Sequence, residues 1–361
     1  MGNGLSWLRL PEHGPRRKIW QKARNRRNGN DLTRSPHLSA KRCLRRWRWL
    51  AGRPVAGAAP GKAQKAAETS PNKTCRDPAP VPGSSAITGG TRVCWLMKTA
   101  CEVVVKIGGA AIQLTAEDPA FCELVRKRYG GYLDTGSGAG AVLEVDIAPC
   151  EWETENDDVQ VELNCGRWVI RRGDFQATWD PRTRRGRLQQ SLNPYSIDTV
   201  LRIINTLLLA EEGGFLLHAA SGVRNGRAFL FSGLSGAGKT TLSRLAPPDV
   251  TLLTDEISYL RPEGEGYRAH GTPFAGELAT LGENISAPVA ALYLLAKGTG
   301  NRIEEIGKGE AARRLLRNIL FFAKDQGLVK RLFESACRFV EAVPAYRLTF
   351  FPDERVWGLI Q

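Results

Sequence analysis

The chain has only four histidines and two methionines among its 361 residues. Its eight cysteines stand at 43, 75, 94, 101, 122, 150, 165 and 337, and no two of them form C-x-x-C. Scattered thiols with so little histidine argue against a zinc site. They fit a reducing cytosol better than a disulfide framework, so the expected location is cytoplasmic. No apolar run approaches the ~20 residues that a membrane-spanning helix needs. The most apolar helix-like stretch, Thr206-Leu-Leu-Leu-Ala210, is short. No internal repeat is present, which excludes a solenoid.

Acidic residues are scarce in the first quarter. Residues 1–96 hold 20 Lys+Arg against 4 Asp+Glu, and residues 97–361 hold 31 against 33. The whole positive balance therefore comes from the first segment. That segment runs through Arg16-Arg-Lys18, Arg26-Arg27 and Arg45-Arg-Trp-Arg48, then a Pro/Gly/Ala/Ser-rich stretch from Arg53 to Gly90. It lacks sustained apolar periodicity and reads as a disordered basic arm, because it cannot bury enough surface to offset its ordering entropy. An arm for nucleic acid or anionic lipid is one reading. A targeting segment is a second, but no apolar core precedes a small-residue cleavage site. The preferred reading is an upstream-start artefact: translation from Met97 would give 265 residues with nearly balanced charge. No base-reading motif supports a nucleic-acid partner.

What is present is a glycine-rich loop. Residues 233–240 read Gly233-Leu234-Ser235-Gly236-Ala237-Gly238-Lys239-Thr240, a full match to the Walker A pattern G-x-x-x-x-G-K-S/T. An apolar strand-like run, Arg227–Ser232, precedes it, and Thr241–Ala246 can continue a helix until Pro247-Pro248 stops it. Strand, glycine loop and helix form the context in which the pattern binds phosphate. The glycines let backbone N–H groups turn inward, and the helix start adds partial positive charge. Lys239 then reaches the β- and γ-phosphates, and the Thr240 hydroxyl ligates Mg²⁺.

Two domains follow the basic arm. Residues 97–190 read as a small α+β domain. Strands are expected at Cys101–Ile107, Ile112–Thr115, Ala141–Ile147, Val159–Leu163, Arg167–Ile170 and Asp174–Trp179, with a helix over 118–129 capped by Asp118. Its acidic run Glu151–Asp158 reads as a solvated loop. Residues 191–361 read as the nucleotide-binding α/β domain. A helix is expected over 195–212, stopped by Gly213-Gly214. Strands follow at Phe215–Ala219, Arg227–Ser232, Val250–Thr254, Ile257–Leu260, Tyr267–His270, Val289–Ala296 and Tyr346–Phe350. Helices are expected over 239–246, 308–323 and 326–341. Short links near 221–226 and 261–266 suit hairpins, so the sheet should be mixed.

Few other residues can carry chemistry. Asp255 ends the apolar strand Val250–Thr254, fifteen residues after Thr240. A carboxylate at a strand C-terminus beside a phosphate loop can hold Mg²⁺ or accept a proton from an attacking hydroxyl. Glu256 follows and would face the other way if the strand continued. His218 interrupts the apolar run Phe215-Leu-Leu-His-Ala-Ala220, next to the loop strand, and reads as functional. His270 reads as structural. The segment after it, Gly271-Thr-Pro-Phe-Ala-Gly-Glu277, has loop chemistry and could close over a substrate through Glu277. Phosphoryl transfer also calls for an arginine; Arg268 and Arg302 are candidates that spacing does not separate.

Together, His218, the Gly233–Thr240 loop and Asp255-Glu256 resemble the C-terminal catalytic domain of HPr serine kinase/phosphorylase. Ser235 suits that family's loop variant, G-x-S-G-x-G-K-S/T. The Leu216-Leu-His-Ala-Ala220 opening and the Gly271-Thr-Pro-Phe-Ala-Gly-Glu277 stretch are similar to those of HPr-kinase-like proteins from peptide-modification gene clusters. The resemblance spans roughly residues 195–350. It implies a phosphoenolpyruvate-carboxykinase-like nucleotide fold and transfer of the ATP γ-phosphate to a serine of a small protein or peptide. On that mapping residues 233–241, Thr241 included, bind ATP, with Lys239 also catalytic. Asp255 is the base, His218 supports it electrostatically, and Thr240, Asp255 and Glu256 hold Mg²⁺. Ring-forming relatives imply a homo-oligomer by analogy. The second acid is Glu256 where the family has Asp, and the lysine/arginine-rich segment tied to reverse phosphorolysis has no counterpart. The rival readings are a partner-coupled ATPase or nucleotide switch, a carboxykinase-like enzyme on a small metabolite, and a nucleic-acid binder acting through residues 1–96.

Overall fold

Period-two burial organises the first half of the molecule. A computed structural model describes residues 100–136, 138–148, 159–276, 278 and 282–361. The basic segment 1–96, Met97, Cys43, Cys75, Cys94 and Cys150, the run Glu151–Asp158 and Glu277 lie outside the described residues. Strands β1 (Cys101–Ile107), β2 (Ala110–Ala116) and β3 (Ala141–Ile147) turn alternate residues inward, burying Val103, Val105, Leu114, Leu143 and Val145. With β4 (Gln160–Asn164), β5 (Arg167–Arg172), β6 (Phe175–Asp180) and β7 (Arg185–Gln190) they form a seven-stranded sheet in the order β1-β2-β3-β7-β6-β5-β4. The β2–β3 and β3–β7 pairs are parallel and the others antiparallel. Helix α1 (Pro119–Arg128), capped by the Asp118 side chain, buries Phe121, Cys122 and Val125.

Two features of this half depart from the sequence reading. Strand β7 was not expected: Arg185 and Arg187 mask its pattern, and only Leu188 and Gln190 are buried. Cys101 and Cys122 form a disulfide, with Cα atoms 6.4 Å apart across 21 residues, and Cys165 is also disulfide-bonded. The expectation of reduced thiols is therefore corrected for these positions. The fold brings the start of β1 against α1, a proximity that spacing alone does not announce.

Helix α2 (Pro194–Glu212) leads into the second half. Asn193 caps it by accepting the Tyr195 N–H, and Gly213 ends it in the left-handed region at φ 79°. Most of its residues are buried, including Leu201, Ile203, Ile204 and Leu209. Burial of each such side chain stabilises by about 1.5–3 kcal/mol. A single apolar cluster takes in Leu114, Phe121 and Leu188 from the first half together with Ile204, Leu217 and Leu292 from the second.

The second sheet is mixed, as the hairpin links suggested. Its strands are β8 (Phe215–Arg224), β9 (Arg227–Ser232), β10 (Thr251–Thr254), β11 (Ile257–Glu263), β12 (Gly266–His270), β13 (Ser286–Lys297), β14 (Arg302–Glu305) and β15 (Ala345–Phe350). Asn225 and Gly226, both at positive φ, make the tight β8–β9 turn. Strand β13 runs parallel to β9 and β15. The long strands β8 and β13 each change neighbours along their length. Residues 215–218 of β8 pair with β11, and residues 219–224 pair with β9. Residues 286–288 of β13 pair with β12, and residues from Val289 onward pair with β9. Since β11 also pairs with β12, strands β8, β9, β13, β12 and β11 follow one another around a closed circuit.

Three helices complete this half: α3 (Lys239–Arg244), α4 (Lys308–Leu316) and α5 (Gln326–Ala342). The helix expected over 308–323 stops at Leu316. The β9 ladder starts only at Ala219, so the edge of β8 before it is open. Residues 318–320 fill that edge: His218 N–H donates to Asn318 C=O at 2.7 Å, and Leu320 N–H donates to Leu216 C=O at 2.8 Å. The chain gives up helix there to satisfy strand backbone. Strand β14 is short, largely exposed and was also not expected.

Candidate functional site

Sheet register explains why distant residues meet. Ala219 pairs with Ser232 at the end of β9, where the glycine loop begins. Ser221 pairs with both Leu230 and Thr254. β9 and β10 are both antiparallel to β8, so they point the same way. Their C-terminal ends, Ser232-Gly233 and Thr254-Asp255, therefore emerge at one end of the sheet, where His218 lies on β8. Ligands of α/β folds bind outside such strand ends.

The loop has the backbone that its glycines predict. Gly236 and Gly238 are at φ 79° and 109°. A Cβ on Gly238 would lie 2.5 Å from the Phe350 ring, so this position needs glycine for space as well as for conformation. Lys239 is only 7% exposed, and its Nζ donates to the Gly233 carbonyl at 2.8 Å, across the mouth of the loop. Helix α3 begins at Lys239 and has six residues, shorter than the 239–246 expected. Thr240 and Thr241 sit half-buried in its first turn, while Leu234 and Ser235 are exposed at the loop tip beside the half-buried Ala237.

Asp255 and Glu256 occupy a break between β10 and β11 and diverge. Asp255, 6% exposed, accepts the Gly276 N–H at 2.9 Å on one oxygen and the Leu278 N–H at 3.0 Å on the other. It thereby ties Gly276 and Leu278 to the strand end. Gly276 must be glycine here, since a Cβ would lie 2.7 Å from Asp255 Oδ2. Thr254 Oγ1 accepts the N–H groups of Glu256 and Ile257, which holds the break. Glu256 faces Arg202 of α2, with Nη2 and Oε2 3.9 Å apart. Burial pushes the Glu256 carboxyl up; Arg202 and Lys239 pull it down, and Asp255 and Asp198 add to the rise.

His218 pairs across the β8–β11 ladder with Ile257, directly after Glu256. Burial lowers its pKa to about 3, helped by the positive charges of Lys239 and Arg202 and opposed by a hydrogen bond to the Glu256 backbone. The imidazole is therefore neutral at physiological pH and contributes a dipole, not a charge. The structure thus brings His218, Lys239, Asp255 and Glu256 to one end of the sheet. Among the described residues no group of three or more His, Cys, Asp or Glu forms a ready-made metal site. The oxygen donors Thr240, Asp255 and Glu256 suit Mg²⁺, which takes one or two carboxylates and completes its shell with water and phosphate.

The other sequence candidates lie apart. His270 packs edge-on against Tyr259, with Arg261, Arg268 and Glu263 as charged neighbours; burial lowers its pKa to about 4. Arg268 pairs with Glu263, and the exposed Arg302 pairs with Glu304. Apart from Lys239, the cations near the site were missed. Arg202 lies with its guanidinium 5.0 Å from the Phe274 ring centre and facing Glu256. Its signal was a charge inside the apolar run Val200-Leu-Arg-Ile-Ile204. Four residues along the same helix, Asp198 is buried and takes hydrogen bonds from Arg128 and from Tyr129. Lys297, Arg314 and Arg317 line a cleft of about 510 Å³ against loop residues Ser232–Ala237.

No curated protein matches the chain. Among solved structures it is similar to the Hpr(Ser) kinase/phosphatase from Coxiella burnetii, at 15% identity and a TM-score of 0.23, over 40% of this chain and 85% of that one. Residues 188–361 match the family described as SynChlorMet cassette protein ScmC.

Proposed function

We propose that this chain is an ATP-dependent phosphotransferase that moves the γ-phosphate to a serine hydroxyl of a small protein or peptide. One observation carries the reading: the Gly233–Thr240 loop and the Asp255-Glu256 pair leave parallel strand ends on either side of His218. The core is then a phosphate-loop nucleotide fold of the kind the sequence resembles. Loop amides from Gly233 to Thr241 hold the phosphates. Lys239 leaves the Gly233 carbonyl and moves onto the β- and γ-phosphates. Thr240, Asp255 and Glu256 would hold Mg²⁺, which when bound neutralises phosphate charge.

Asp255 takes the serine proton. Each of its oxygens accepts one loop amide and keeps a second lone pair, so the carboxylate is aimed without being used up. The serine oxygen attacks the γ-phosphorus, the β–γ bridge breaks, and ADP leaves. His218 is a positioning residue: neutral, it fixes the Glu256 backbone. The charge that offsets the acids comes from Lys239 and Arg202. The description of the matched family as a cassette protein fits an acceptor supplied by a companion protein.

A second reading has its own support. Because Asp255 is bonded to Gly276 and Leu278, the same atoms could couple nucleotide state to the backbone there in a partner-coupled ATPase or switch. Incubation with Mg²⁺ and γ-labelled ATP in a lysate of the host organism separates the two. Label on a protein or peptide serine supports the kinase. Label released only as free phosphate supports the switch.

A further inference from the structure

The cleft beside the loop carries a charge pattern that the site described so far does not use. One wall is the first half of the loop, Ser232–Ala237; the other carries Lys297, Arg314, Arg317 and Asn318. Among the described residues no acidic side chain lines it. Arg314 is already committed: it pairs with Glu310 at 2.7 Å, and Glu310 also binds Arg347. Lys297 and Arg317 are different. Both are exposed, and neither side chain has an ion-pair or hydrogen-bond partner among the described residues.

Their placement is built into the fold. Lys297 ends β13, whose Leu294 pairs with Ser232, so it stands beside the start of the loop. Arg317 is the C-cap of α4, at the point where the helix is cut short. The next residue, Asn318, is pinned by its carbonyl to His218 N–H and by its side chain to the Arg314 carbonyl at 2.9 Å. The backbone beside Arg317 is thus fixed to the strand that carries His218. A volume of about 510 Å³ is in the range of small-ligand sites.

We propose that Lys297 and Arg317 form a cationic clamp that holds the terminal phosphate of a nucleoside triphosphate against the loop. This deepens the proposed function and rests on it for the identity of the ligand. Two cationic side chains without partners, lining one cleft with a glycine loop and with no carboxylate among the described lining residues, match a polyphosphate chain: the loop amides would bind it, and the guanidinium fork would take two oxygens of the end group. Such a clamp would distinguish triphosphate from diphosphate, because only the triphosphate carries the end group that it holds. It also places a cation where charge develops during γ-transfer.

The test is calorimetric binding of Mg·ATP, Mg·ADP and inorganic tripolyphosphate to the full chain, its Lys297→Gln/Arg317→Gln double variant, and Lys239→Ala. Both clamp residues are exposed, and unchanged melting would show that the double variant folds. The expected result is about a tenfold or greater loss of ATP affinity in the double variant, with ADP affinity changed less than about threefold. Unchanged ATP affinity in the double variant, with wild-type binding intact, overturns the clamp and leaves the kinase reading standing; a loss confined to acceptor phosphorylation would then assign the pair to an acidic acceptor. If the wild type binds tripolyphosphate but not ATP, and the double variant binds neither, the clamp stands and the nucleotide reading falls. If the wild type binds none of the three, both fall.

Discussion

Arg202 and Glu256 face each other, Nη2 to Oε2 at 3.9 Å, one on the buried helix before the sheet and the other in the break between two strands. The pair couples the helix to the end of the sheet that carries the glycine loop. Burial alone would favour a protonated Glu256, and Arg202 works against it. Arg202→Met should raise the Glu256 pKa further and destabilise the protein by about 1–3 kcal/mol. Glu256→Gln in the same background should recover part of that loss. Chemical denaturation of the four proteins in the cycle measures the coupling. Additive effects within about 0.3 kcal/mol would show that the two side chains do not interact.

Asp255 and Gly276 make a second dependent pair. Asp255→Asn keeps one acceptor oxygen and replaces the other with a donor, so one of the two loop amides loses its partner. Gly276→Ala would force a methyl group to within 2.7 Å of Asp255 Oδ2. Both changes should speed amide hydrogen exchange at Gly276 and Leu278, and each should cost about 1–3 kcal/mol. Asp255→Asn should also abolish transfer while leaving ATP binding largely intact. Exchange at these amides equal to wild type would remove the tethering role.

His218 gives the stability a pH dependence of definite sign. Its pKa falls from 6.5 to about 3 on folding, so between those values the unfolded chain binds the proton and the folded chain does not. Above pH 6.5 the residue has no effect. Below it stability is lost as pH falls, at up to about 1.4 kcal/mol per pH unit, and the loss levels off near pH 3. The difference between wild type and His218→Gln, followed by denaturation from pH 8 to 4, should show this slope. His270→Gln should show a similar slope ending near pH 4. A flat difference for His218→Gln would mean the imidazole is solvated in the folded state.

The Cys101–Cys122 bond closes a loop of about twenty residues at the edge of the first sheet. Cys101→Ser should lower stability under oxidising conditions by about 3 kcal/mol and have no comparable effect in reductant. Alkylation before and after reduction, read by mass, reports the pairing. Two free thiols at these positions in protein taken from the cell would show that the bond is absent in its compartment.

The parts of the fold that were legible in the sequence are those governed by local chemistry. The hairpin link placed near 221–226, the Gly213 stop and the Gly233–Thr240 loop all depend on φ preferences that a residue type announces; the turn itself is Asn225-Gly226. Asp255 was visible because it ends an apolar strand, and His218 because it interrupts one. What stayed hidden depends on the partner. Strand β7 is charged on its outer face and is a strand only because β3 and β6 flank it. The end of α4 at Leu316 follows from an open edge on β8. Lys297 and Arg317, twenty residues apart, line one cleft only because the fold brings the ends of β13 and α4 beside the loop, and Arg268 and Arg302 could not be set aside until their partners Glu263 and Glu304 were seen.

The central claim is that loop and carboxylate form one phosphoryl-transfer centre. The most direct measurement is phosphopeptide mass spectrometry of host lysate incubated with Mg²⁺, ATP and wild type, Lys239→Ala or Asp255→Asn. The account predicts a phosphoserine that appears with wild type alone, while Asp255→Asn still binds ATP and Lys239→Ala does not. A phosphoserine made equally well by Asp255→Asn, or ATP bound equally well by Lys239→Ala, would contradict it.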